Sequence, residues 1–105
     1  MTPAARELRR AVVKGLAGFA GTLTVEALAS RSWASITFTG ARSRLTLRLE
    51  GDGASAAADA YCHGLEEREF DLSGHVVVEI AVTERSDESD TRVRLTLEAL
   101  TVEMD

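Results

Sequence analysis

Cysteine is all but missing: Cys62 is the only one in 105 residues. A single thiol closes no internal disulfide. That excludes the stapled build of small secreted scaffolds and favours a reducing compartment, so the expected location is cytoplasmic. Proline occurs once, at Pro3, and lysine once, at Lys14, among twelve basic residues. So strong an arginine bias reads as codon usage as much as ligand selection. The linker-free build fits a bacterial chain. Aromatics number five, too few for a face of stacking platforms. No apolar run approaches the roughly 20 residues of a membrane span. The N-terminal stretch "RELRRAVVKGLAGFAGTLTVEALAS" has the arginines and apolar middle of a signal peptide, but Lys14 and Glu7 interrupt it and "GTLTVE" alternates as a strand does.

What is present is an ordinary globular composition, 45% hydrophobic and 28% charged, with alternating runs able to bury a core. The length implies one domain, 1–105. Residues 1–48 carry 8 basic and 2 acidic side chains, a net of +6, and residues 49–105 carry 4 and 15, a net of −11. Neither half holds a run of like charge, so the two halves are expected to neutralise each other within the fold.

Residues 3–17 read as a helix, with Thr2 as N-cap, Pro3 in the first turn, and Leu8, Val12, Leu16 and Phe19 in one apolar stripe. The period then changes to two. Leu23, Val25 and Ala27 share a face. Ala34, Ile36 and Phe38 share a core face with Trp33 outward. Leu45, Leu47 and Leu49 oppose Arg44, Thr46 and Arg48. "TGARS" reads as the hairpin turn. The "ASRS" link leaves open whether 22–38 is one bent strand or two. "GDG" breaks the pattern, Asp52 is the expected cap, and 54–69 reads as a second helix with Ala54, Ala58, Tyr61 and Leu65 inward. Val76, Val78, Ile80 and Val82 are expected to face the core, "RSDESD" to be a mobile loop, and Val93, Leu95 and Leu97 to return to the core. Leu100, Val102 and Met104 have the opposite parity. A bulge near Glu98-Ala99 would restore them to the core; without one they form a second apolar surface, suited to a partner.

Counted with 22–38 as two strands, the order is α-β-β-β-α-β-β. The implied fold is α+β: a two-layer sandwich of a mainly antiparallel five-stranded sheet with both helices on one face.

No chemistry-bearing constellation emerges. Cys62 and His63 are adjacent, so on a helix they point about 100° apart, Cys62 toward the core and His63 toward water. His75 adds no metal-ligand spacing. The acidic cluster Glu66, Glu67, Glu69 and Asp71 reads as a solvated helix end. "GDGASA" lacks the residues of a phosphate loop. Catalytic, cofactor-binding and metal residues are therefore assigned to none.

The wet face of the sheet is the functional candidate. Trp33, Arg44, Arg48, Arg92 and Arg94 should share it, together with Glu26, Glu50, Glu79 and Glu98. The expectation is a non-catalytic binding or self-association domain. It would form a homodimer or bind another protein through this face or a sheet edge. The alternative is a small-molecule or nucleic-acid module using the arginine face; the interspersed glutamates and a pI near 5.0 count against nucleic acid. An enzyme built on Tyr61, His63 and His75 is the third reading. No cofactor and no membrane association are expected.

Overall fold

The computed structural model describes residues 2–104; Met1 and Asp105, the ends of the expected 1–105 domain, lie outside them. Helix α1 (Pro3–Gly15) is followed by strands β1 (Thr22–Ala34) and β2 (Thr39–Glu50). Helix α2 (Ala54–Cys62) and a 3-10 turn (Leu65–Glu67) lead to strands β3 (His75–Ser89) and β4 (Arg92–Glu103). The strands form an antiparallel sheet in the order β1-β2-β4-β3. The α+β class stands.

The expected five strands are four. Residues 29–32 do not interrupt β1, because every residue from Ala27 to Ala34 is in register with β2. The chain turns at Ser35–Phe38 instead of at "TGARS". The Ser35 hydroxyl accepts from Phe38 N–H at 3.0 Å, and the Ser35 N–H donates to the Phe38 carbonyl at 2.7 Å. A serine side chain that satisfies the turn backbone closes the hairpin without glycine. Ile36 and Phe38, expected in the core, therefore stand at the hairpin end, fully and half exposed.

The core lies between the central strands and the helices. Leu45, Leu47, Leu49, Val93, Leu95 and Leu97 pack with Leu8 and Val12 of α1 and Ala54, Ala58 and Tyr61 of α2. Thr2 caps α1 as its sequence implies, accepting from Ala5 N–H at 3.1 Å, while its hydroxyl also meets Ser30 Oγ at 2.8 Å. Helix α2 is shorter than the expected 54–69, because Gly64 turns left-handed at φ +71. Asp52 does not cap it. Gly53 is the N-cap, and the first-turn N–H of Ser55 donates instead to the Asp90 carbonyl in the β3–β4 turn.

Neither central strand is bulged against the other; β4 runs in unbroken register with β2 from Arg92 to Val102. The irregularities lie on the edge strands, between Val25 and Ala27 on β1 and at three places on β3. Each inserts one residue and shifts parity. So Val77, Ile80 and Val82 pack on the core, whereas Val76 and Val78, expected there, are exposed on the other face. "RSDESD" is strand, not loop, up to a two-residue turn at Asp90-Thr91. Arg85 holds it to α2 through Asp59 at 2.8 Å, and Ser55 Oγ donates to Asp87 at 2.9 Å.

Gly40 lies inside β2, opposite Trp33 and Val102. A Cβ there would press into the Thr101 carbonyl oxygen and sit 2.9 Å from the Trp33 ring, whereas a Cβ at Gly18 meets nothing within 4 Å. Gly40→Ala should cost about 1–3 kcal/mol, and Gly18→Ala should stay within about 0.5 kcal/mol. Urea unfolding of the two variants checks this; equal midpoints would contradict it.

Candidate interaction surface

The register organises the uncovered face of the sheet into rows that run across β1, β2, β4 and β3. From the hairpin end, the first is Trp33, Gly40, Val102 and Val76. The second is Arg31, Arg42, Leu100 and Glu79. The third is Ala29, Arg44, Glu98 and Ala81. Farther along come Thr24, Arg48, Arg94 and Ser86, then Thr22, Glu50, Arg92 and Ser89. Trp33, Arg44, Arg48, Arg92 and Arg94 thus share one face, as alternation implies. Glu26, Glu50, Glu79 and Glu98 share it too.

Toward the end remote from the hairpin the arginines are neutralised. Arg48 pairs with Glu26 at 2.9 Å and Glu50 at 2.8 Å, and Arg92 pairs with Glu50 at 3.0 Å. Arg94 reaches Glu26 at 2.6 Å, and Arg44 reaches Glu84 at 2.9 Å. Glu26 and Glu88 are the inserted residues of bulges, which brings their carboxylates to this face. The bond from Arg94 is the main cause that holds the Glu26 carboxyl below its usual value; Arg48 adds to it. These pairs are partly or largely exposed and individually weak. Together they leave few free cations for a phosphate backbone.

Toward the hairpin end the face turns apolar. Ile36, Phe38, Val76, Val78 and Met104 are all exposed, and Ile36 is 107% so. With Trp33, Leu100 and Val102 they line an open groove of about 900 Å³. The straight run of β4 is what sends Leu100 and Val102 here. The Trp33 ring lies over Gly40, and its Nε1 is enclosed with no hydrogen-bond partner among the described residues. Alternation placed Trp33 correctly. It missed Ile36, Phe38, Val76 and Val78, whose only signal was the bulge and the serine-closed turn.

The remaining candidates are not brought together. Cys62 is half-buried against the core, and burial pushes its thiol up, away from the reactive thiolate. His63 ends α2 on the exposed side. His75 Nδ1 lies 2.9 Å from the Ser73 carbonyl. Tyr61 is covered by the Arg68 guanidinium, 4.4 Å from its ring centre. Among the described residues no group of three His, Cys, Asp or Glu could hold a metal ion. No helix among them is long and apolar enough to cross a membrane.

Because Glu26 has a lowered folded-state pKa, its contribution is fully present above the unfolded value of about 4.5. It is lost as pH falls through the folded value. Glu26→Gln should therefore lower stability at neutral pH and shrink the loss on acidification below about pH 4.5. Thermal melts across pH 2.5–7, roughly, test the sign; parallel curves for both proteins would contradict it.

No family model matches the sequence, and no curated protein matches it. Among solved structures, the chain is similar to one from the virion of a native gene transfer agent particle. The two share 21% identity and a TM-score of 0.68, over 99% of this chain and 100% of that one. At that identity the shared property is the fold, over essentially the whole length of both chains.

Proposed function

We propose that this protein is a non-catalytic structural subunit that works by protein–protein contact through the open face of its sheet, with a homodimer as the smallest assembly. The observation that carries the reading is the apolar groove at the hairpin end. Isolated exposed apolar residues are ordinary, but a contiguous patch of this kind marks an interaction surface. Trp33 is its aromatic anchor, set among aliphatic side chains, the composition of an interface centre. The arginines Arg44, Arg48, Arg92 and Arg94 form a neutralised, wet continuation of the same face. The fold shared with a chain of the gene transfer agent virion, a component of a multi-subunit particle, supports a role in assembly. A single cysteine, which closes no internal disulfide, fits a cytoplasmic location.

Ile36→Ser combined with Phe38→Ser removes two exposed apolar groups without touching the core. We expect the native protein to self-associate in sedimentation velocity. The double variant should weaken that association at least about tenfold, with a melting temperature equal to that of the native chain at concentrations where both are monomeric. A native protein that stays monomeric throughout the accessible concentration range would overturn the reading, as would a double variant that associates as strongly as the native chain.

A further inference from the structure

Arg31 and Arg42 stand directly opposite each other on β1 and β2. Like charges in that position are destabilising, and among the described residues neither has a carboxylate within ion-pair distance. Every other arginine on the open face is paired. On the opposite flank, Glu79 on β3 and Glu98 on β4 likewise have no cationic partner among the described residues. All four line one depression of about 430 Å³ directly beside the apolar groove. Arg31, Arg42 and Glu79 share a row and do not cancel across it, because Leu100 stands between Arg42 and Glu79. The row therefore reads positive, positive, apolar, negative. Glu98 lies in the next row, opposite Arg44, which pairs with Glu84 instead.

Resting on the reading above, we infer that the partner is a second copy of this chain, packed face to face about a two-fold axis parallel to the strands, with Arg31 of each copy over Glu79 of the other and Arg42 over Leu100, beside the other copy's Glu79 and Glu98. Rotation about that axis reverses the strand order and keeps the rows level. The apolar row falls on the apolar row, and Arg31 falls over the second copy's acidic flank. Sheets packed face to face keep their strands within about 30° of one another, as this arrangement requires. A two-fold axis across the strands would instead lay β1 on β1 and set arginine against arginine. Joining two sheets at their edges would leave all four charges uncompensated. Farther along, the level rows set Arg48 of each copy over Arg94 of the other, and Glu26, which bonds both arginines within each copy, offsets that approach.

The test is reciprocal charge reversal at two exposed positions. Arg31→Glu alone sets two negative flanks against each other, and Glu79→Arg alone sets two positive ones. Each should weaken self-association at least about tenfold at low salt. An equimolar mixture of the two should form a heterodimer near native strength, because both of its contacts are then of opposite sign. Native mass spectrometry of the mixture resolves the species. Single variants that associate like the native chain, or a mixture no stronger than either variant alone, would overturn the inference. If that happens while Ile36→Ser with Phe38→Ser still abolishes association, the apolar contact stands and this orientation falls. If the native chain never associates, both fall.

Discussion

Leu45, Leu47 and Leu49 on β2 stand directly across from Leu97, Leu95 and Val93 on β4, and none of the six is more than 1% exposed. Both strands are interior, so each is hydrogen-bonded along both edges and cannot slip alone. A one-residue slip would move this whole apolar set to solvent. The two helices cover this strip and the apolar residues of the edge strands beside it, and their small buried residues, Ala4 and Ala5 on α1 and Ala54 and Ala58 on α2, let them lie close to it. The pairing also fixes everything on the reverse face. Once Leu47 faces Leu95, Arg48 must face Arg94 and Arg42 must face Leu100.

Two cations opposed at Arg48 and Arg94 would cost stability. Glu26 resolves the conflict by bonding both, and it reaches this face because β1 is bulged beside it. The bulge is thus tied to the charge pattern. Two of the ion pairs join a cation of the basic half to an acid of the acidic half, Arg44 to Glu84 and Arg48 to Glu50. On the open face, among the described residues, Arg31 and Arg42 on one flank and Glu79 and Glu98 on the other are left without a partner of opposite charge.

The parts legible in the sequence are those where alternation is unbroken. The central strands, the cap at Thr2, the inward stripe of α2 and the outward parity of Trp33 all follow from period and local chemistry. The misplacements share one cause. A bulge adds a residue without a compositional mark, so Val76 and Val78 look identical in kind to Ile80, yet lie on the other face. An apolar turn likewise imitates a strand. Ala34, Ile36 and Phe38 alternate well, and only the serine that closes the turn distinguishes them from a buried edge. The opposite parity of Leu100, Val102 and Met104 was visible, but the choice between a bulge and a second apolar surface depended on pairing with β2.

That choice separates stability from association. Folding draws on the strip between the central strands and the helices. The hairpin end contributes little to it, since Ile36 buries nothing and Phe38, Val76, Val78 and Met104 remain 43–56% exposed. The molecule is 47 Å long against 21 and 18 Å across, and its apolar groove sits toward one end of the sheet rather than over the helix-packed core. Sites that share no partners contribute nearly additively. The hairpin end is therefore free to be shaped for a contact, while the register that positions it is set by the leucines of the core.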